Sequence, residues 1–264
     1  MPSSNATRSS SAPGDRKFVT ALSRGLDVLR CFGPRDRWLA NLDIAKRTGL
    51  AKPTVSRLAY TLTKLGFLRY SESTNKYALG SAAITLGFAA LGQLDIRRVA
   101  RPLMQELSEY TKTSVHLAVS DRLSMQVVDT YWNAAAFVID IGSRIPIATT
   151  SLGRAYVAAL PADDRKRILE AIRTARPDDW PNNKKKFDQA FRDYEEYGFC
   201  FSIGDWRREV NAVAAPFIPR DGSGPVVIGC SGPAFQLEPE HLKRDVGPRL
   251  TALVANLSSS LVAE

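Results

Sequence analysis

No apolar run in the 264 residues approaches the ~20 that a membrane-spanning helix requires, so an integral helical membrane protein is not expected. Cysteine and histidine are scarce. The three cysteines, Cys31, Cys200 and Cys230, lie far apart without a CxxC pair or a Cys/His cluster, and the two histidines are His116 and His241. That spacing excludes a disulfide framework and a structural zinc site, and predicts reduced, buried thiols with neither metal nor cofactor. The opening residues lack the apolar stretch of a secretory signal. Residues 1–16 therefore read as a disordered tail, and residence in the cytoplasm is the expectation.

Acidic residues are the other shortage, and only in one place. The chain has 36 Lys and Arg against 27 Asp and Glu, a net charge of +9. Residues 1–94 hold 14 basic and 5 acidic side chains, whereas residues 95–264 hold 22 of each, so the whole excess lies in the first third. A basic module joined to a neutral one suggests that the first meets a polyanion while the second does something else.

Within the basic third, Val19, Leu22, Leu26, Val28, Leu29 and Phe32 recur at helical spacing and predict a packing helix that stops at Gly33-Pro34. A second helix is expected from Leu39 to Thr48, with Leu42, Ile44 and Ala45 inward and Gly49 making the left-handed turn after it. Pro53 sits in the first turn of a third helix, where its missing N–H costs nothing, and Val55, Leu58, Leu62 and Leu65 mark the buried face. Together these read as a helix-turn-helix.

The opposite face of the third helix carries Lys52, Thr54, Ser56, Arg57, Tyr60 and Lys64, donors long enough to reach base edges and phosphates in a major groove. Lys52, Pro53, Thr54, Ser56, Arg57 and Tyr60 are the candidate readers, while Lys64 and Lys46 read as plain surface charges. Phe67 to Tyr70 and Lys76 to Leu79 are strand-like segments around a polar turn, a wing whose Arg69 and Lys76 would contact phosphates or the minor groove. A winged helix can also serve protein contacts, but charge, spacing and wing agree on double-stranded DNA.

Residues 81–94 predict a linker helix that is apolar nearly all round, packed either against a second subunit or against its own domain. Beyond residue 95 helical and alternating patterns mix, as an α+β domain requires. Strands are expected over Ser114–Ser120, Met125–Tyr131, Ala136–Ile141, Phe199–Ile203, Asn211–Ile218 and Val226–Ser231, the last two joined by a turn at Arg220 to Pro225. Helices are expected from Ile96 to Tyr110, from Thr149 to Tyr197 with a break at Pro177 to Asn183, and from Pro239 to about Leu261.

The helix opening at Thr149-Thr-Ser-Leu-Gly-Arg154 would present free N–H groups, with Gly153 removing a side chain that would block close approach; an anion site and an ordinary Ser/Thr cap are both consistent with it. Gly229-Cys-Ser-Gly-Pro233 has the outline of a nucleophile elbow, but Pro233 replaces its last glycine, and an enzyme is not expected. His116, in an alternating strand, reads as a satisfied core or pocket-edge histidine. Cys200 and Cys230 would form a redox pair only if their strands were adjacent. Lys184-Lys-Lys186 is followed by acidic residues and reads as a solvated face.

Across residues 18–262 the chain resembles the IclR-type bacterial transcriptional regulators. The likeness is carried by Ala21-Leu-Ser-Arg-Gly-Leu-Asp-Val-Leu29, Gly49-Leu-Ala-Lys-Pro-Thr-Val-Ser-Arg57, Leu65-Gly-Phe-Leu68, Tyr77-Ala-Leu-Gly80, Thr150-Ser-Leu-Gly-Arg-Ala155, Tyr197-Gly-Phe199, Ala214-Ala-Pro216 and Ser231-Gly-Pro233. The resemblance implies a winged helix-turn-helix over 17–80, a linker helix over 81–94 used in dimer formation, and over 95–264 a GAF-like effector and oligomerisation domain with a mixed or antiparallel sheet flanked by helices. It further implies a homodimer, often a dimer of dimers, on a palindromic operator, controlled by a small organic acid.

By the same resemblance the effector positions are Phe137, Ile145, Ser151, Leu152, Ser202, Val210, Ala212, Gly229 and Ser231, with Cys230 adjacent, and the helix start adds Gly153 as an effector position. Relatives that bind small keto acids often place an acidic residue where Ser202 stands and a cysteine where Ala212 stands, so the ligand need not be the same here. Phe137, Trp132 and Trp206 would either wall an aromatic ligand or fill the interior.

Overall fold

The computed structural model describes residues 17–92, 95–132, 138–219 and 224–260, without the side chains of residues 95 and 258–260. The tail expected over 1–16, the greater part of the turn expected near 220–225, and Phe137 lie outside the described residues. The chain divides into two compact units, one up to residue 93 and one from residue 94.

In the first unit α1 (Thr20–Arg30), α2 (Asn41–Thr48) and α3 (Lys52–Lys64) surround a core of Val28, Ile44, Ala45, Val55, Ala59, Leu62 and Leu68. The run from Leu39 is not one helix. Leu39–Ala40 is a short strand, β1, and the helix starts at Asn41, where the Asp43 carboxylate accepts from the Ala40 N–H at 3.0 Å and satisfies an orphan donor of the first turn. That shift in frame leaves Leu42 exposed while Ile44 and Ala45 stay buried. Gly49 ends α2 with φ +70°, a conformation a side chain would strain.

Leu65 is exposed too, because it lies past the last turn of α3, where the chain turns away. Likewise α1 packs through Val28 and Leu29 and leaves Val19, Leu22 and Leu26 outward, so it covers less of the core than its spacing predicts. β2 (Leu68–Ser71) and β3 (Lys76–Leu79) form the antiparallel hairpin after α3, and β1 extends it in the order β1-β3-β2. In α4 (Ser81–Gly92) no residue is buried, and Ile84, Leu86 and Phe88 are exposed. Burial of this helix against its own domain is thereby excluded for these residues.

The second unit is built on a six-stranded sheet in the order β6-β5-β4-β9-β8-β7, every pair antiparallel. The strands are β4 (Ser114–Asp121), β5 (Ser124–Tyr131), β6 (Arg144–Pro146), β7 (Cys200–Ile203), β8 (Val210–Phe217) and β9 (Val226–Pro233). One face is covered by α5 (Asp95–Thr111) and α10 (Gly247–Ser260), which is reached through the short α9 (Pro239–His241) and a π-helical turn. The other face is covered by α6 (Ser151–Ala159), with α7 (Ala162–Ala175) and α8 (Trp180–Tyr197) outside it.

The strand expected over 136–141 does not form in its described part. Residues 138–141 are irregular, and the sheet edge is instead β6, paired with Ser124–Gln126. A bulge between Leu117 and Ala118 of β4 shifts the register against β5, so that Thr130 opposite His116 and Val127 opposite Ala118 share one face although three residues apart.

Candidate functional site

On α3 the side chains of Lys52, Pro53, Ser56, Arg57 and Tyr60 are exposed and Thr54 is half-buried, while Val55, Ala59 and Leu62 hold the helix to its core from the other side. The single-sign face is therefore open. Ser56 Oγ donates to the Lys52 carbonyl at 3.1 Å and accepts from Asn41 Nδ2 at 2.7 Å, which ties the N-terminal turn of α3 to α2. Lys52, Arg57 and Lys76 form no ion pair among the described residues, so their charges are uncompensated. On the hairpin, the Arg69 guanidinium stacks over the Trp38 ring at 5.2 Å, held by a cation–π contact. Behind this surface Arg47 bonds the Cys31 carbonyl at 2.9 Å and pairs with Asp36, holding that carboxyl below the usual range.

In the second unit a small cavity opens between the start of α6 and the sheet. Of the expected effector positions among the described residues, all but Gly153 line it: Ile145, Ser151, Leu152, Ser202, Val210, Ala212, Gly229, Cys230 and Ser231. His116, Ile139, Thr150 and Trp206 complete the wall. Ile139 and Thr150 went unnoticed in the sequence as lining positions. Ile139 lies in an irregular segment with no periodicity to mark its facing, and Thr150 is disguised as a cap. Trp132 is half-exposed and takes no part in the wall.

Gly153 has a packing role. A Cβ there would lie 2.2 Å from the Ile147 carbonyl oxygen and 2.3 Å from its Cα, so the glycine lets α6 pack on the chain before it. Its N–H is taken as well, by Thr150 Oγ1 at 3.2 Å. Thr150 is thus an ordinary cap in one respect. The N–H groups of Ser151 and Leu152, the first two of the helix, have no hydrogen-bond partner among the described residues, and both residues line the cavity.

Hydrogen bonds pin the rest of the lining. Ser202 Oγ donates to the Thr149 carbonyl at 2.9 Å, His116 Nε2 lies 2.9 Å from Ser231 Oγ, and His116 Nδ1 lies 3.1 Å from Thr130 Oγ1. Burial alone pushes the His116 imidazole down to about 4. Beside Trp206 in the chain, Asp205 accepts from Arg154 at 2.6 Å and from Lys186 at 2.9 Å. Burial would raise the Asp205 carboxyl, but Lys186 and Arg154 outweigh it and hold the group below its ordinary value. With a free volume of about 20 Å³ the cavity has space for about one water. A wider hollow beside Arg154, Lys186 and Asp193 is lined by charged side chains.

The decoys resolve physically. Cys200 Sγ faces α8, bonded to the Ala190 carbonyl at 3.3 Å, whereas Cys230 Sγ faces the other side of the sheet at 2.9 Å from Thr113 Oγ1, with β8 between their strands. No redox pair forms. Burial raises both thiols, that of Cys230 to about 11, so neither is a ready thiolate. Gly229 to Pro233 runs straight through β9, without the sharp strand-to-helix turn a nucleophile elbow requires. Lys184 pairs with Asp188 at 2.7 Å and Lys186 with Asp205. Among the described residues no helix is long and apolar enough to cross a membrane, and no group of three or more His, Cys, Asp or Glu could hold a metal ion.

Comparison with known proteins places this geometry. Residues 21–72 match the model of the IclR helix-turn-helix domain, and residues 88–259 match that of the bacterial transcriptional regulator IclR C-terminal domain. The HTH-type transcriptional regulator TsaQ1/TsaQ2 of Comamonas testosteroni is 32% identical over 250 residues, covering 93% of this chain and 90% of that one. The crystal structure of an IclR family transcriptional regulator from Brucella abortus is 49% identical with a TM-score of 0.82, covering 94% of each chain. The fold is also that of an IclR homolog from Microbacterium hydrocarbonoxydans crystallised with 4-hydroxybenzoate, at 19% identity and a TM-score of 0.73 over 93% of this chain and 100% of that one. The chain belongs to the IclR family of bacterial transcriptional regulators, which are DNA-binding transcription factors rather than enzymes.

Proposed function

We propose that residues 17–80 form a winged reader of double-stranded operator DNA, with Lys52, Pro53, Thr54, Ser56, Arg57 and Tyr60 entering the major groove and Arg69 and Lys76 contacting the backbone. The observation that carries this is the uncompensated positive face of α3 in the part of the chain that holds all the excess charge. Residues 81–94 act as the linker helix of a homodimer, and dimers pair further. The apolar, unburied face of α4 supports this, since exposed apolar surface favours association. Residues 95–264 are a GAF-like effector and oligomerisation domain, and the protein acts in the cytoplasm.

The effector is a small carboxylate, an aromatic one by preference, bound in the cavity beside Ser151, Leu152, Ser202 and Ser231. The two unpartnered N–H groups at the start of α6 suit an anion, and the 4-hydroxybenzoate bound by the Microbacterium homolog is of this class. Because the cavity has space for about one water, the acid must displace its surroundings, and Ile139, Thr150 and Trp206 are the lining side chains outside helix and strand. Such displacement is how binding would bias one arrangement of paired readers over another. A tenfold change in operator affinity needs only about 1.4 kcal/mol of differential binding.

Calorimetry with benzoate, 4-hydroxybenzoate, phenylacetate and pyruvate on Ser151→Trp and Ser231→Trp tests the cavity. Lost ligand heat with DNA binding intact is the expected result, and unchanged heat in both variants would sink it.

A further inference from the structure

Among the described residues lining the cavity, His116 is the one side chain able to carry a positive charge. A carboxylate entering a site with no permanent counter-charge would be costly to desolvate. The hydrogen bonds around His116 define what it offers. The Ile139 carbonyl can only accept, so the Thr130 hydroxyl proton is committed to it at 3.1 Å. Thr130 Oγ1 then accepts from His116 Nδ1, which must carry the proton of the neutral ring. Nε2 is left as a lone pair and accepts from the Ser231 hydroxyl at 2.9 Å. In this state Ser231 turns its proton away from the cavity and presents only lone pairs to it.

We propose that the cavity takes up a carboxylate together with one proton, which binds Nε2 of His116; the imidazolium then donates to Ser231 Oγ, and the released Ser231 hydroxyl donates to the carboxylate. The inference rests on the reading of this cavity as the acid site, and deepens it by naming the charge that receives the acid. The proton comes from solvent, and no other bond forms or breaks. Burial holds the ring at about 4, so it is neutral at neutral pH. A carboxylate one hydroxyl away would raise that value by direct attraction.

Among the described residues no Asp, Glu, Lys or Arg lines the cavity. β5 contributes Thr130, with Asp129 on the other face held by Arg97 and Arg101. β9 contributes Ser231, with the Cys230 thiol turned to Thr113. α6 contributes Ser151 and Leu152. Asp205, beside Trp206, is paired with Arg154 and Lys186, and Asp140 follows Ile139. Burial is the sole cause of the displacement of His116.

The test uses the full chain with benzoate, 4-hydroxybenzoate, phenylacetate and pyruvate, titrated at neutral pH in buffers of different protonation heat. Expected is an uptake of about one proton per acid bound, with affinity falling towards tenfold per unit from pH 5.5 to 7. Nitrogen NMR should show His116 as the neutral Nδ1–H form in the free protein and as imidazolium in the complex; His241→Gln identifies the other histidine. His116→Gln should lose the proton uptake. Uptake that persists in His116→Gln would mean that the acid keeps its own proton, and a neutral ring in the complex or a free ring protonated on Nε2 would equally overturn the proposal. Binding without uptake overturns the role of His116 and leaves the cavity standing as the acid site, whereas no heat from any of the four acids overturns the site reading beneath it.

Discussion

Replacing Gly153 by alanine probes how the effector unit is assembled. A Cβ at this position would sit 2.2, 2.3 and 2.5 Å from the carbonyl oxygen, Cα and carbonyl carbon of Ile147. These are backbone atoms of a fully buried residue, so no side-chain rotation relieves the clash, and α6 or the segment before it must move. Overpacking an interior costs about 1–3 kcal/mol, and three contacts this short put Gly153→Ala at the upper end. Alanine in place of glycine in a helix returns about 0.5–1 kcal/mol. The net loss is on the order of 2 kcal/mol, which at an m-value of about 2 kcal/mol per molar urea lowers the midpoint by about 1 M. Urea unfolding followed through Trp180 and Trp206, both packed against the core beside α6, measures it. DNA binding should survive, because the clash lies within the second unit. An unchanged or higher midpoint would refute the packing argument and return Gly153 to a role in ligand approach.

Further outcomes follow from other contacts. Lys52→Ala and Arg57→Ala should each weaken operator binding and, where the lost contact is to a phosphate, lower the slope of log affinity against log salt by about 0.9, read by fluorescence anisotropy over a salt series. Asp129 is buried and accepts from Arg97 at 3.0 Å, Arg101 at 2.8 Å and the Thr130 N–H at 2.8 Å; Asp129→Ala should cost about 1–3 kcal/mol by stranding a buried donor. Arg101→Ala, at a half-exposed partner, should cost under about 1 kcal/mol in the same melt. Because burial holds His116 at about 4 against 6.5 in the unfolded chain, the unfolded state binds more protons between those values. Stability is therefore fully present above pH 6.5 and lost as pH falls towards 4, by up to about 3 kcal/mol, and the His116→Gln variant should lack that part of the acid slope.

The reading helix was legible because local rules agree there: Gly49 for the turn, Pro53 at the start, and Val55 and Leu62 one face apart from Lys52 and Arg57. Spacing failed where the helical frame changes. Leu42 obeys a helix that begins at Asn41, two residues later than its pattern suggests, and Leu65 lies beyond the end of α3. Apolar periodicity also cannot tell burial within the chain from an outward face, as Leu22 and Leu26 of α1 and Ile84, Leu86 and Phe88 of α4 demonstrate. In the second unit most of the cavity wall came from family resemblance and not from spacing, since Ser202, Ala212 and Ser231 become lateral neighbours only through β-pairing. The same long-range pairing keeps Cys200 from Cys230 and joins His116 to Ser231, neither of which sequence separation encodes.

The central claim, a ligand-responsive reader of DNA, is tested most directly by mobility shift of the purified protein on the DNA upstream of its own gene. The series should run over salt, with and without the four acids. The account predicts a specific complex that weakens steeply with salt and whose affinity is changed by at least one carboxylate. A complex indifferent to salt and to sequence, or no complex under any condition, would contradict it.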